Sequence, residues 1–187
     1  MRSLKGKLIL DSGKLADSPF CRAVVLVCQH DHTGAFGLVL NQPSDHKVGR
    51  ALEDPLPELL KRLTVFVGGP VQPQALTCLM RVPLVGKGGD DESVVLPGLR
   101  VTHSLTELGE PRDELPAEKQ FKFFAGYSGW SPGQLDNEMK QEAWVTHPSS
   151  MDLIFTPRPN ELWRKILLAK GPEYRLLAET PEDVSRN

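Results

Sequence analysis

Short apolar runs, separated by glycine, proline and small polar residues, dominate the first half of the chain. Two of them, Arg22–Gln29 and Ala35–Leu40, are apolar on both faces, which is typical of strands covered on both sides. The residues between them, His30–Gly34, have turn chemistry, so the two runs are predicted to form an antiparallel hairpin. Shorter runs predict further strands at Leu8–Leu10, Val65–Val67 and Leu76–Val82, and a strand pair over Ser93–Val101 around Pro97-Gly98.

The second half of the chain mixes strand patterns with helix patterns. The run Phe121–Ala125 predicts a strand, and a glycine-rich turn over Gly126–Gly133 is expected to lead into a helix capped by Ser131. The clearest helix is predicted over Asn160–Lys170, with Asn160 as its cap. Weaker patterns predict a proline-broken helix over Val48–Leu60, a mobile surface loop at Gly86–Glu92, a short helix at Ser104–Leu108 and a strand at Trp144–Thr146.

Strands interleaved with helices predict an α/β fold in which helices pack on a mixed sheet. The chain has 187 residues, of which 40% are hydrophobic and 25% charged, as in ordinary soluble globular proteins. A chain of this length is expected to form a single domain over residues 1–187. Its longest apolar run, Ala23–Cys28, is too short for a signal-peptide core or a membrane span.

Charge and cysteine usage narrow the classes of function. The net charge is -2 with scattered basic residues, which argues against direct binding to DNA or RNA, since phosphate binding needs a basic face. The most basic segment, Arg158–Lys170, is interpreted as the solvated face of a helix. The three cysteines form no C-x-x-C pair, so neither a disulfide framework nor a zinc ribbon is expected, and a cytoplasmic location follows as the default.

Four blocks of sequence carry a family resemblance. They are Leu4-Lys5-Gly6 with Leu8, Phe20–Val25 through Cys28–His30 and Gly34–Pro43, Gly68–Val71, and Gly126–Trp130 with Gly133–Leu135, Glu138 and Trp144. In this order and spacing the chain resembles the bacterial AlgH/YqgE family, which has plant relatives. The resemblance implies a strongly curved, partly barrel-like mixed sheet surrounded by helices, in a cytosolic protein. It implies little chemistry, although one member lent the family the label of a transcriptional regulator. The chain departs from the usual pattern at Gln29, where an acid is common, and at Ala75-Leu76.

The Gly126–Gly133 turn is the first candidate site. Glycine-rich backbone at a helix N-terminus suits an anion, but no lysine follows, and Asp136 near the helix start would repel phosphate. A structural turn is therefore the favoured interpretation. Glu138 and Glu142 share a helix face four residues apart, and this carboxylate pair is interpreted as solvated rather than catalytic.

Cysteine and histidine supply the other candidate chemistry. Cys28, His30 and His32 alternate as metal ligands on a strand would, but both histidines fall in the predicted turn, so no metal site is expected. A nucleophilic pair of Cys28 with His30 or His103 stays open. The G-x-S-x-G spacing of an esterase elbow is absent from the sequence.

No complete catalytic constellation stands out, so the expected function is that of a non-catalytic regulatory or interaction protein without a cofactor, acting through a protein partner or a small ligand. The alternative is an enzyme or ligand-binding protein whose Gly126–Gly133 turn converges with Arg22, His30 and Asn41 in one cleft. Exposure of Tyr127 and Trp130 on a flat surface would instead favour a protein interface. The candidate binding residues are Arg22, His30, Asn41, Gly69, Tyr127, Ser128, Gly129, Trp130 and Gly133.

Overall fold

The computed structural model describes residues 2–51, 56–83, 93–104, 108, 111 and 115–180. The strands in these ranges are β1 (Lys7–Asp11), β2 (Val24–Asp31), β3 (Gly34–Val39), β4 (Pro43–Lys47), β5 (Thr64–Val67), β6 (Val71–Arg81), β7 (Val94–Leu96), β8 (Leu99–Thr102), β9 (Phe121–Trp130) and β10 (Trp144–Pro148). The α-helices are α1 (Val48–Ala51), α2 (Glu58–Lys61), α3 (Gln134–Lys140), α4 (Met151–Ile154), α5 (Leu162–Lys170) and α6 (Arg175–Glu179). Short 3-10 turns lie at Ala117–Lys119, Pro159–Glu161 and Pro172–Tyr174.

The strands form one mixed sheet with helices on it, which confirms the predicted α/β architecture. Eight strands follow the order β10-β1-β2-β3-β9-β6-β8-β7, and the β4–β5 pair joins through β5 to β9. Neighbouring strands are antiparallel except for β5 and β9, which run parallel. The resemblance implies a partly barrel-like sheet. In the structure the sheet does not close on itself and is therefore not a barrel.

The β2–β3 hairpin is confirmed, but its turn is shorter than predicted. Only His32 and Thr33 lie outside the strands, so the prediction of a turn over His30–Gly34 was wrong. The Asp31 carboxylate closes this turn by accepting from the Thr33 backbone N–H at 2.7 Å and the Thr33 hydroxyl at 2.5 Å. These hydrogen bonds, with one from Gln29, lower the pKa of Asp31 to about 2.

Strand β9 is the centre of the sheet and runs further than the sequence predicts. The predicted strand ends at Ala125, whereas β9 continues to Trp130 and pairs with β3 through Ser128, Gly129 and Trp130. The predicted turn over Gly126–Gly133 was therefore wrong for most of its length. Three residues, Ser131–Gly133, separate β9 from α3.

The helix start after β9 also differs from the predicted capping pattern. Gly133, with φ 73°, is the residue before α3, and no side chain caps the helix. One part of the expected capping box is present, because the Gln134 side-chain oxygen accepts from the Ser131 N–H at 3.1 Å. The left-handed backbone at position 133 favours glycine, and that explains the glycine better than a ligand does.

Two glycines allow the chain to cross over β9. Strands β5 and β6 lie on opposite edges of β9, since both pair with Phe123, yet only Gly68-Gly69-Pro70 connects them. At the crossing the backbones nearly touch: a Cβ on Gly68 would lie 2.2 Å from the Gly126 carbonyl oxygen, and a Cβ on Gly69 would lie 2.4 Å from the Tyr127 carbonyl group. Both contacts are shorter than real side chains tolerate, so this crossing requires glycine.

Several other predicted strands and helices differ from the observed ones in their bounds. The segment after Asn41 forms the polar edge strand β4, which the sequence pattern did not predict, and β6 begins at Val71 rather than Leu76. The broken helix predicted over Val48–Leu60 corresponds to α1 and α2. The predicted loop Gly86–Glu92 and most of the predicted helix Ser104–Leu108 lie outside the described residues.

Both faces of the sheet are covered. On one face, inward residues of the central strands pack against α4, α5 and α6, where Trp163, Ile166 and Leu167 are buried as predicted. Asn160 does not cap α5, because a 3-10 turn, Pro159–Glu161, precedes the helix. On the other face, a cluster containing Trp130 and Leu135 packs under α3.

Candidate functional site

The candidate binding residues on β9 alternate between the two faces of the sheet, as strand residues do. Ser128 and Trp130 are buried, and the Ser128 hydroxyl donates to the Gly68 carbonyl at 3.1 Å, next to the crossing. Tyr127 is half-buried, with its ring against Gly129, where a Cβ would come within 3.3 Å of the ring. Tyr127 is therefore the side chain of this run that reaches an open surface.

Trp130 belongs to an internal tryptophan cluster. One Glu138 oxygen accepts from the indole N–H of Trp130 at 2.9 Å and of Trp144 at 2.7 Å. The other Glu138 oxygen accepts from Gln134 at 2.9 Å, and Phe20 stacks on Trp130 with ring centroids 6.2 Å apart. Trp130 is 6% exposed, so it does not form the exposed protein-binding surface that the sequence left open.

Neither an anion-binding loop nor a carboxylate pair forms in this region. Residues 128–130 pair with β3, and Gly133 stands exposed with no atom within 4 Å of where its Cβ would lie. Glu138 is engaged with the tryptophans, whereas Glu142 is exposed and pairs with Lys14 at 3.3 Å. The two carboxylates therefore serve separate local contacts.

Arg22 and Asn41 lie together at the start of β2, where they organise backbone. The Arg22 backbone, with φ 54°, donates its N–H to Asp11 at 2.8 Å, and its guanidinium donates to the Thr180 carbonyl at 2.7 Å. Asn41 accepts from a β2 backbone N–H at 2.7 Å and donates to the Arg22 carbonyl at 2.9 Å. The guanidinium also lies 5.3 Å from the Trp163 ring centroid. The structure does not bring this pair together with Tyr127 in one cleft.

His30 occupies a third location. It is 5% exposed, its Nδ1 accepts from the Leu4 N–H at 3.1 Å, and its Nε2 lies 3.6 Å from an Asp136 carboxylate oxygen. A register shift between Val27 and Gln29 interrupts the strand alternation at Cys28, which packs in the core on the α5 side. Among the described residues no three His, Cys, Asp or Glu side chains are grouped to hold a metal ion.

Tyr127 lines a cleft of about 570 Å³, which we call the aromatic cleft. It is lined by Cys28, Gln29, Phe36, Gln72, Ser93, Val101, His103 and Tyr127. These residues come from β2, β3, β6, β8 and β9 and the residues next to β7 and β8. The cleft thus lies beside β9, between β2 and β3 on one side of that strand and β6 and β8 on the other.

Three rings form one wall of the aromatic cleft. The Phe36 ring centroid lies 5.2 Å from that of Tyr127 and 5.8 Å from that of His103. The His103 Nδ1 is held at 3.0 Å from the Thr77 hydroxyl, which fixes the orientation of the imidazole. Such separations are typical of interacting aromatic rings, so the wall is pre-formed.

The polar side of the aromatic cleft includes a strained backbone position. Gln72 is exposed with φ 46°, a conformation uncommon for residues other than glycine. It lies in an irregular part of β6, where the pairing with β9 shifts between Val71 and Leu76, opposite Gly126. Bulges and strained residues occur often at functional sites, where they aim a side chain. Here the bulge places Gln72 at the mouth of the cleft.

The structure brings Cys28 and His103 to the same cleft but does not favour a nucleophile there. Cys28 is 1% exposed, and burial raises the pKa of its thiol. Its Sγ lies 3.7 Å from the Leu26 carbonyl, in an apolar setting. Because the thiolate is the reactive form, this thiol is typical of a buried structural cysteine.

The sequence offered weak signals for the residues that complete the aromatic cleft. Phe36 occupies a strand position, and Gln72 follows a glycine-rich crossing; neither residue type in that context indicates a ligand. The sequence indicates a role for His103 only as a partner for Cys28. Their proximity to Tyr127 depends on pairings between strands distant in the chain, which one sequence does not reveal.

The most basic segment of the chain forms an exposed helix face, as predicted. Arg164 and Lys165, in the most basic segment, are exposed on α5, whose opposite side is buried. None of the helices in the described ranges is long and apolar enough to cross a membrane.

Comparisons with known proteins confirm the resemblance seen in the sequence. A family model described as AlgH-like matches residues 8–175. A UPF0301 protein of Streptomyces coelicolor is 38% identical over 99% of this chain and 96% of the relative, and one of Pelodictyon phaeoclathratiforme is 35% identical over 95% and 92%.

Two solved structures share the fold. The solution structure of the AlgH protein from Pseudomonas aeruginosa covers 98% of this chain and 100% of its own, with a TM-score of 0.69 and 23% identity. The X-ray structure of a Corynebacterium diphtheriae protein covers 96% of this chain and 94% of its own, with a TM-score of 0.75 and 19% identity. The sequence relatives and the family model together establish that this chain belongs to the AlgH-like family.

Proposed function

We propose that this protein is a non-catalytic regulatory protein that binds a small, uncharged, planar ligand in the aromatic cleft. The observation that supports this most directly is the position of Tyr127. Within the glycine-rich stretch Gly126–Trp130, it is the residue whose side chain reaches an open cleft, where it forms an aromatic wall with Phe36 and His103. The cleft volume of about 570 Å³ is within the usual range for small-molecule sites.

The polar groups of the cleft favour a heteroaromatic ligand. Gln29 donates its amide N–H to Asp31 at 2.8 Å, and its side-chain oxygen has no hydrogen-bond partner among the described residues. The Gln72 side chain likewise makes no hydrogen bond to any residue that the structure describes. An amide can donate and accept in one plane, which matches the edges of nucleobases and pteridines.

The lack of charged residues in the described cleft lining favours an uncharged ligand. The lining contains no Asp, Glu, Lys or Arg among the residues that the structure describes. A charged ligand would lose its hydration in the cleft without gaining a counter-ion, which is unfavourable. A neutral ring that stacks on Tyr127 or Phe36 avoids this penalty.

The same lining supports binding without chemistry. The buried Cys28 thiol has a raised pKa, and among the described residues no carboxylate lines the cleft beside His103. General acid–base or nucleophilic catalysis needs a paired acid and base or an activated nucleophile. A protein that binds without converting its ligand acts through partners that recognise the occupied state, and we include such a partner in the proposal. Direct DNA contact is not part of it, given the net charge of -2.

Ligand titration with a defined panel tests the proposal. Adenine, guanine, lumazine and riboflavin are added to the full chain, and binding is followed by thermal shift and by backbone amide chemical shifts. At least one compound is expected to raise the Tm and to shift amides at Gln72 and His103. Tyr127→Ala is expected to weaken that binding at least tenfold, and Tyr127→Phe to retain it.

Tyr174→Ala is the matched control, because Tyr174 is the other of the two tyrosines in the chain and contacts Lys170 away from the cleft. It is expected to bind like the wild type. The proposal is wrong if no panel compound binds at millimolar concentration, or if binding survives Tyr127→Ala unchanged.

A further inference from the structure

A second, larger cleft of about 960 Å³ lies between α2, β5, the start of β9 and the segment after α4. Its described walls are mainly apolar and include Leu59, Phe66, Phe121, Phe155 and Pro157. Leu59 is 58% exposed, a high value for a leucine on a packed helix. We call this the lysine cleft, because Lys122 of β9 also lines it.

Lys122 is buried, with 5% of its surface exposed. Its ammonium donates to the Leu40 carbonyl at 2.8 Å and to the Ile154 carbonyl at 3.0 Å. It also lies 4.0 Å from the centroid of the Phe66 ring. An ammonium has three N–H donors, so two bonds to carbonyls leave one donor for another acceptor or for the ring face.

No acidic side chain in the described ranges pairs with Lys122. Its contacts are two neutral carbonyls and a ring, and burial alone lowers its pKa, to about 7. A buried cation without a counter-ion is unfavourable, and buried charges in proteins are usually paired. A ligand that brings an anionic group to Lys122 would supply the missing charge.

The rim of the lysine cleft is mainly positively charged, like Lys122 itself. Arg62 and Lys119 line it and are exposed, whereas Glu118 is the one acidic lining residue among those described. The cleft thus combines apolar walls, a buried cation at one end and a mostly basic entrance. This combination is complementary to a molecule with an apolar body and one anionic end.

We propose that the lysine cleft binds an amphipathic carboxylate, with the carboxylate at Lys122 and the apolar body against Phe66, Phe155 and Leu59. This site is separate from the aromatic cleft and does not depend on the function proposed there. Aromatic and aliphatic walls favour a chain or ring of hydrocarbon. The two carbonyls that accept from Lys122 hold the ammonium in place before a ligand arrives.

Isothermal titration calorimetry with three probes of equal chain length tests the proposal. Decanoate, decanol and decylamine are titrated into the full chain below their aggregation limits. The wild type is expected to bind decanoate at least tenfold more tightly than decanol, and decylamine more weakly than both. Equal binding of decanoate and decanol, or no binding of decanoate, would overturn the proposal.

Variants separate the buried lysine from the rim. Lys122→Met keeps an unbranched apolar side chain but removes the charge, and it is expected to weaken decanoate binding at least tenfold while leaving decanol binding unchanged. Lys119→Met is the rim control and is expected to change decanoate affinity by less than threefold. Loss of decanoate binding in Lys119→Met with retention in Lys122→Met would contradict the assignment.

The wild type provides a test that needs no variant, in case Lys122→Met fails to fold. Because an uncharged amine attracts a carboxylate less, decanoate affinity is expected to fall as the pH rises from 7 to 9, and decanol affinity is expected to stay constant. In the described ranges, the other charged or titratable side chains on the elements around the cleft are Asp45, His46, Lys47, Glu58, Lys61, Arg62, Cys78, Arg81, Glu118, Lys119, Asp152, Arg158 and Glu161. Burial raises the pKa of the Cys78 thiol, so it does not ionise between pH 7 and pH 9. Arginine, lysine and carboxylate side chains ordinarily titrate outside this range. A decanoate affinity that is constant from pH 7 to pH 9 would count against Lys122 as the counter-ion.

Discussion

Removal of the Glu138 carboxylate is expected to destabilise the protein strongly, although Glu138 lies on a helix with exposed neighbours. One of its oxygens accepts from two indole N–H groups, those of Trp130 and Trp144, at 2.9 and 2.7 Å. Trp130 and Trp144 are 6% and 4% exposed, so neither has ready access to water. Glu138→Ala leaves both donors buried without an acceptor.

The expected cost follows from the two lost bonds. A buried donor left without a partner costs roughly 1–3 kcal/mol, so two of them give about 4 kcal/mol for Glu138→Ala. Glu138→Gln can place its amide oxygen at the same position and keep both bonds in weaker, uncharged form. Its expected cost is only about 1 kcal/mol, since hydrogen bonds to charged groups are stronger than neutral ones.

Urea unfolding followed by far-UV circular dichroism and tryptophan fluorescence measures these free energies. For a chain of this size the slope is about 2 kcal/mol per M, so Glu138→Ala is expected to lower the midpoint by about 2 M. Trp144→Phe should cost less in the Glu138→Ala background than in the wild type, because the unsatisfied donor is already present there. The expected coupling is about 1–2 kcal/mol.

Glu142→Ala serves as the control from the same region. Its ion pair with Lys14 is exposed, with side-chain exposures of 85% and 54%, so its removal is expected to change stability little. The two-donor explanation would be refuted if Glu138→Ala cost less than about 1 kcal/mol, or if Glu138→Gln were as damaging as Glu138→Ala.

Three further outcomes are expected. Gly69→Ala should unfold the protein or cost more than about 3 kcal/mol, because its Cβ would collide with the β9 backbone, whereas Gly133→Ala, in open space, should cost about 1 kcal/mol; urea midpoints compare them. A thiol reagent should modify the exposed Cys21 in the folded protein and the other two cysteines only after unfolding, since burial raises their pKa; three rapidly reacting thiols in the native state would contradict this. The pKa of Lys122 is about 7 in the folded state and ordinarily 10.5, so the unfolded state binds more protons between these values and stability should rise with pH in that window. The rise should reach up to about 2 kcal/mol from pH 7 to pH 9 relative to Lys122→Met, and equal pH profiles of the two proteins would exclude it.

Local patterns predicted the elements whose sequence matches their environment. The strands β2 and β3 are apolar on both faces because helices cover both sides of the sheet. The same logic predicted α5, whose buried residues follow helical spacing. The predicted strand ends at Ala125, five residues before the end of β9, because glycine and serine at positions 126, 128 and 129 are typical of turns. In the fold, a glycine is needed at position 126 because the Gly68–Gly69 backbone, distant in the chain, passes close to it.

The candidate site was predictable in part. Tyr127, which helix initiation does not need, does line a cleft, and its role in binding stays a prediction. Its neighbours Phe36, in β3, and His103, just after β8, are distant in the chain, so their grouping depends on the register of the sheet. Arg22 was expected to reach the same cleft, but a sequence does not distinguish an arginine that binds backbone from one that binds a ligand. Lys122 did leave a weak signal, since a lysine within the apolar run 121–125 is unusual for an exposed position.

The crossing at Gly68-Gly69-Pro70 constrains the order in which the sheet assembles. Strands β5 and β6 are adjacent in sequence and would pair most quickly with each other, yet in the native sheet β9 lies between them. Any early β5–β6 hairpin is therefore a kinetic trap that must open before β9 can insert. During synthesis β5 and β6 leave the ribosome well before residue 121, so this part of the chain must stay unpaired, or pair reversibly, until its central strand arrives.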